Sequence, residues 1–176
     1  GALFFNRRGK PVDPLVTLSN YGMNTVRLRI WNNPEDRHCG FDEVKQFSGR
    51  IHGMGLAVWL NPHYSDSWAD PGKQVIPDRW RGLSFRALRD SVYAYTARIV
   101  TAIDPEFIQI GNEINNGLLW PHGRMDNNRE QFLKLLSAGT GAVRENSDDC
   151  RIIIHYAGLR GAGRFFSAVR DIDYDI

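Results

Sequence analysis

The sequence predicts a parallel α/β fold of the (β/α)8 TIM-barrel class, present as a partial barrel of about strands 2 to 5 with the start of strand 6. Three observations predict it. Short β-rich runs alternate with helical patterns along the whole chain, the signature of βαβ units and a parallel sheet. Each run carries one apolar face: Val26, Leu28 and Ile30; Val58 and Leu60; Ile108 and Ile110; Ile152 and Ile154. The opposite face becomes polar toward the C-terminal ends, through Arg27 and Arg29; Trp59, Asn61 and His63; Gln109 and Glu113; and His155. Alternate residues of a strand face opposite sides. An open sheet covered by helices on both faces would be apolar on both, whereas a barrel whose mouth forms a site is polar on its inner face. An open doubly wound sheet is the alternative. A full barrel takes about 250 residues, so the 176 residues read as a single-domain fragment, 1–176, of a catalytic barrel. A complete small α/β domain is the second possibility. The unpaired edges of a partial barrel should leave it unstable or prone to associate.

Each element has a local cause. Asp13-Pro14 opens the first helix as an N-cap followed by Pro at the first helical position, and the helix ends near Gly22. Thr25–Ile30 is a strand. Val44, Phe47, Ile51 and Met54 recur at helical spacing. Ala57–Asn61 is the next strand, followed by a long polar and aromatic loop to about Leu83. Phe85, Leu88, Val92, Tyr95, Ile99 and Ile103 form a helical stripe, and Phe107–Gly111 is a strand. Asn128 and Gln131 form a capping-box pattern that opens a helix to about Asn146. Ile152–His155 is a strand, a short helix covers about 163–170, and Tyr174–Ile176 begins a further strand.

Composition excludes several classes of function. With 42% hydrophobic and 24% charged residues, the chain is neither disordered nor collagen-like. No apolar run approaches the roughly 18 residues of a membrane span. The net charge is +2 and the basic residues are scattered, so neither nucleic acid nor a membrane is an expected partner. Five Trp suit either core filling or a sugar-facing surface. No signal peptide is visible. Barrel placement sets Cys39 after a strand and Cys150 before one, at opposite ends, so no disulfide between them is expected.

The sharpest chemical signal is Gly111-Asn112-Glu113 at the end of a strand. A carboxyl group there lies where barrel enzymes keep catalytic groups. A partly desolvated Glu can hold a proton near neutral pH while an adjacent Asn orients a hydroxyl. A Glu that merely caps the following loop is the alternative. His63, Asp66 and Asp70 share the loop after the second strand, but no second His or Cys lies at ligand spacing, so no metal and no cofactor is expected. Arg27 and Arg29 on an inner face imply an anionic partner, in a structural ion pair or at a catalytic carboxylate. His155 is either a satisfied core histidine or a site residue.

The stretches Val26–Asn32, His63–Gln74 and Gln109–Pro121 closely resemble glycoside hydrolase family 53, the arabinogalactan endo-β-1,4-galactanases. The resemblance covers nearly the whole chain. It implies retaining hydrolysis of β-1,4-galactan by a secreted, extracellular enzyme that is monomeric at full length. It also implies Glu113 as general acid/base and Asn112 at the hydroxyl beside the reacting carbon. Arg27 and Arg29 match arginines near the nucleophile, His63 and His155 match site histidines, and Trp68 and Trp120 match cleft aromatics. The family's nucleophilic Glu ends the seventh strand, beyond Ile176, so these residues alone are expected to be inactive. Two departures exist: Asn61-Pro62 where the family usually has Asp-Phe, and Tyr156–Gly161 in place of an Asp/Asn-rich loop. Another retaining β-glycanase acting on mannan, xylan or glucan, and a non-catalytic carbohydrate-binding barrel, are the competing functions.

Overall fold

A computed structural model describes residues 3–176; Gly1 and Ala2 of the expected domain lie outside them. The chain begins with a small antiparallel hairpin, β1 (Phe4–Phe5) and β2 (Pro11–Val12). Two-residue strands leave no alternating pattern, so nothing in the sequence announced it. The carboxylate of Asp13 then accepts the Leu15 N–H at 2.9 Å and starts α1 (Pro14–Asn20). There follow β3 (Thr25–Ile30), α2 (Phe41–Gly53), β4 (Ala57–Pro62), a 3-10 turn at Asp78–Trp80, and α3 (Phe85–Ile103). After β5 (Phe107–Gln109) come the short β6 (Gly117–Leu118) and β7 (Gly123–Arg124), which pair as a hairpin. The last elements are α4 (Arg129–Asn146), β8 (Arg151–Ile153) and α5 (Ala162–Ala168).

The main sheet is four-stranded, in the order β3-β4-β5-β8, and every pairing is parallel. Register matches like with like: Leu28 opposes Leu60, Leu60 opposes Ile108, and Ile108 opposes Ile152. The helices cover that apolar face alone. Ile30, Val58, Leu60, Ile108, Ile110, Ile152 and Ile154 are buried in one cluster with Val44 and Ile51 of α2, Leu88, Val92 and Ile99 of α3, and Leu135 and Leu136 of α4. The other face carries Arg27, Arg29, Trp59, Asn61 and Gln109 and has no helix layer, which removes the doubly wound alternative. Beyond β8, Asp175 N and Ile176 N donate to Ile152 O at 2.9 and 3.1 Å, and Ile154 N donates to Ile176 O at 2.9 Å. The expected start of a further strand is therefore an extended segment bonded alongside β8.

Two local details refine the sequence reading. The capping box at Asn128 does not form: its amide donates instead to Pro121 O at 2.9 Å, and the Gln131 Oε1 is buried without a partner. The β6–β7 hairpin captures the capping side chain. Gly139 of α4 sits where a Cβ would come within 2.9 Å of Ile110 Cγ2 and 3.3 Å of the Tyr64 hydroxyl, so the missing side chain lets the helix approach the sheet closely. Cys39 and Cys150 are both unpaired, in keeping with their expected separation. Among the described residues no helix is long and apolar enough to cross a membrane.

Ile108 is fully buried between β4 and β8. Ile108→Ala should cost about 2–5 kcal/mol of stability, seen as a lower urea midpoint at unchanged slope. A loss below about 0.5 kcal/mol would mean that this face is not a closed core.

Candidate active site

The site forms where β4, β5 and β8 end. Ile110 N still bonds to Ile153 O at 3.0 Å, and then the chain leaves the sheet through two left-handed residues. Gly111 has φ +79°, and a Cβ there would lie 2.6 Å from Ile114 Cγ2, so only glycine fits. Glu113 has φ +50°, a conformation that costs a non-glycine residue about 1 kcal/mol and is kept mainly where function needs it. The turn sends Asn112 inward, 4% exposed, and leaves Glu113 half-buried at the rim. It is held from β8, since Ile114 N donates to His155 O at 3.2 Å and Glu113 N donates to His155 Nδ1 at 3.3 Å. Asn115 and Ala157 exchange two bonds of 2.9 and 2.8 Å just beyond.

Asn112 is the centre of a polar network spanning three strands. Its Oδ1 accepts from Arg27 Nη2 of β3 at 3.0 Å, and its Nδ2 donates to Ala69 O at 2.8 Å. Its main-chain oxygen accepts from Gln74 Nε2 at 2.8 Å. Gln109 accepts from both Arg27 Nε and Nη2, at 3.3 and 3.0 Å, and donates to Gly111 O at 2.8 Å. Asn61 of β4 lies 3.2 Å from Asn112 Oδ1. Gln74, Gln109 and Asn61 are fully or nearly fully buried, and none was a candidate site residue from sequence. Gln109 and Asn61 had a signal, because each interrupts an inner face at an alternate position. Gln74 had none, lying in an irregular loop.

The carboxylate that the resemblance sets near Arg27 and Arg29 falls outside these residues. Both side chains are exposed, and among the described residues neither forms an ion pair. Arg27 binds neutral amide oxygens, which suits a guanidinium that still reaches solvent. Its neighbours lower its pKa by desolvation, and the Glu113 carboxylate opposes that. Arg29 stacks over the Trp68 ring at 4.4 Å and the Trp31 ring at 5.1 Å, with Nε 3.0 Å from Cys39 Sγ.

The remaining expected residues gather around this core. His63 is 1% exposed; its Nδ1 accepts the Ala69 N–H at 3.0 Å and its ring meets Trp68 edge-on at 5.4 Å. Trp68 itself is 52% exposed and carries an open aromatic surface at the site. Trp120 joins through Gln74, whose main-chain oxygen accepts the Trp120 N–H at 2.7 Å, and the Arg124 guanidinium lies 4.9 Å over its ring. Asp66 accepts from Asn33 N and Asp78 N at 2.8 and 2.7 Å, and Asp70 accepts from Gly72 N at 2.7 Å. These two carboxylates stitch loops. Glu113, Asn112, Arg27, Arg29, His63, His155 and Trp68 are thus brought together, and Trp120 is tied to them through the Gln74 main chain. Chemically, the site offers one half-buried carboxyl group, neutral amides that can read hydroxyls, and aromatic faces suited to sugar C–H groups.

Burial disfavours the charged form of both histidines. Burial, with Arg27 and Arg29 adding repulsion, lowers the His63 pKa to about 4. Burial and Arg27 also lower that of His155, against an opposing pull from Glu113. Because the folded pKa lies below the unfolded one, the folded state binds fewer protons. Stability is then complete above about pH 6.5 and falls as pH drops toward 4. For His63 the loss is on the order of 3 kcal/mol at the acid end. A His63→Gln variant should show a flatter stability curve between about pH 4 and 6.5 in urea melts; an unchanged slope would mean that His63 is not buried neutral.

The profile of Glycosyl hydrolase family 53 matches residues 1–176. The chain is 33% identical to an endo-beta-1,4-galactanase of Bacillus subtilis, aligning over 100% of itself and 44% of that protein. It is 34% identical to arabinogalactan endo-beta-1,4-galactanase A of Aspergillus niger, over 78% of itself and 41% of the relative. Among solved structures it superposes on the Ignisphaera aggregans GH53 catalytic domain with a TM-score of 0.93 and 34% identity, covering 99% of this chain and 53% of that one. A fungal beta-1,4-galactanase structure gives a TM-score of 0.88 at 30% identity, covering 96% and 53%. The chain therefore spans about half the length of the proteins it matches, and its parallel sheet with one helix layer is a sector of their (β/α)8 barrel. With the family profile matched along its whole length and galactanase relatives at 33–34% identity, the chain belongs to glycosyl hydrolase family 53.

Proposed function

We propose that these residues supply the acid/base half of a retaining endo-β-1,4-galactanase acting on galactan and type I arabinogalactan. The observation that carries the reading is Glu113, half-buried on a left-handed turn at the strand end beside the fixed amide of Asn112. In this reaction Glu113 protonates the departing glycosidic oxygen. A second carboxylate, about 5–5.5 Å from Glu113 and outside these residues, attacks the anomeric carbon to form the glycosyl-enzyme. Glu113, now ionised, then takes a proton from water as that intermediate is hydrolysed. Asn112 reads the hydroxyl next to the reacting carbon. Arg27 holds Asn112, and with Arg29 forms the cationic flank of the site. His63 and His155 brace the two loops, and Trp68 and Trp120 supply apolar platforms for galactose rings. The partner is a soluble polysaccharide, not nucleic acid or membrane. Such a polymer lies outside the cell, which favours a secreted protein, and the full-length chain acts as a monomer.

The test uses the full-length natural chain with β-1,4-galactan and reducing-sugar release. Glu113→Gln should lower kcat by about 10²-fold or more. An active variant would remove Glu113 from the acid/base role, and an inactive wild type on galactan that cleaves mannan, xylan or glucan would move the substrate. Trp68→Ala should raise KM by roughly five-fold with kcat little changed, the worth of about 1 kcal/mol of ring contact. An unchanged KM would take Trp68 out of the cleft.

A further inference from the structure

Asn61 combines complete burial with an unmet bond. It is 0% exposed on the inner face of β4, and among the described residues its Oδ1 has no hydrogen-bond partner. Its amide nitrogen lies 3.2 Å from His63 Nε2 and 3.2 Å from Asn112 Oδ1. The proton inventory of His63 decides what this contact can be. A backbone N–H only donates, so His63 Nδ1, 3.0 Å from Ala69 N, must be bare. A neutral ring then carries its proton on Nε2. That N–H needs an acceptor, and an amide NH2 facing it would set two donors against each other.

Exchanging the oxygen and nitrogen of the Asn61 amide, which are interchangeable in shape, removes the conflict. Oδ1 then receives the Nε2–H of His63, and the amide NH2 takes the unpartnered position. The exchange also sets the Asn61 oxygen 3.2 Å from Asn112 Oδ1; Asn112 Oδ1 does not need the lost donor, since it accepts from Arg27 at 3.0 Å and from Gln109 at 3.4 Å, and the Arg27 guanidinium offsets the repulsion between the two oxygens. Among the described residues no carboxylate acts on His63. The charged groups that act on it are Arg27 and Arg29 of β3, both cationic; its other neighbours are Asn61 and the ring edges of Trp31 and Trp68. A neutral acceptor at position 61 therefore fixes the tautomer without drawing a second proton onto the ring.

The consequence reaches the aromatic platform. Ala69 is clamped from both sides, its N–H by His63 Nδ1 and its carbonyl by Asn112 Nδ2. Trp68 is the preceding residue. We propose that Asn61 is a positioning residue: its amide oxygen holds His63 as the neutral Nε2–H tautomer, and the bare Nδ1 so enforced locks the Ala69 backbone and with it the Trp68 ring. That this ring is a galactose platform rests on the function proposed above; the lock itself does not.

The test reads the lock without substrate, so it is separate from the loss of activity in Glu113→Gln. In the full-length natural chain, nitrogen NMR of His63 should show Nδ1 bare and Nε2 protonated, with no titration between about pH 5 and 8. Asn61→Leu removes the acceptor, and the Nδ1–H tautomer should become populated while Ala69 amide exchange quickens at least about ten-fold. Asn61→Asp keeps an acceptor but adds charge. It should retain the tautomer at high pH, bring His63 titration into the range of about pH 5 to 8, and make Ala69 protection fall as pH falls, because the added proton occupies Nδ1. A protonated Nδ1 in the wild type would overturn the proposal. So would an Asn61→Leu chain with unchanged tautomer and Ala69 exchange. Should that variant not fold, an Asn61→Asp chain whose His63 stays untitrated would also overturn it.

Discussion

The buried amide of Asn112 is the contact on which the rest of the site depends. One side chain joins β3 through Arg27, the loop after β4 through Ala69, and the strand end that bears Glu113. In a low-dielectric interior such an amide is costly to leave unpaired. Its partners are therefore fixed in place as firmly as it is. Because Asn112 and Glu113 are adjacent, whatever fixes the first fixes the second. The left-handed backbone at Gly111 and Glu113 is the strain this arrangement carries, and the bonds to His155 and Gln74 oppose its relaxation.

Charge is arranged with equal economy. The inner face presents guanidinium groups to neutral amides, and both histidines accept backbone N–H groups through Nδ1. Neutral histidines need no counter-ion, and the Glu113 carboxyl stays at the rim of the network. A carboxyl with no tight ion pair is free to exchange its proton with a bound substrate, which is what acid/base chemistry requires.

The barrel sector was legible because strand period and helix period are both local. Leu28, Leu60, Ile108 and Ile152 fall in one layer, and α3 buries the stripe read from Leu88 to Ile103. The Gly111-Asn112-Glu113 turn was legible from its strand-end position. What was not legible depended on partners far away in sequence. Among these residues Arg27 bonds to Gln109 and Asn112, more than 80 positions along, and no local pattern announces that contact. Asn128 was expected to cap a helix, yet the hairpin before it takes the side chain. Gln74 has no periodic pattern around it, and only the folded loop brings it under Glu113. Asn61 was visible as a departure from the family's usual Asp, but its meaning depends on the proton placement at His63.

The most direct test of the whole account is a crystal structure of the full-length natural chain carrying Glu113→Gln with a β-1,4-linked galacto-oligosaccharide bound. The account predicts the residue 113 side chain about 3 Å from a glycosidic oxygen, Asn112 bonded to the neighbouring hydroxyl with its Arg27 and Ala69 contacts intact, and a galactose ring over Trp68. A sugar chain seated elsewhere, with residue 113 turned away from every glycosidic oxygen, would contradict it.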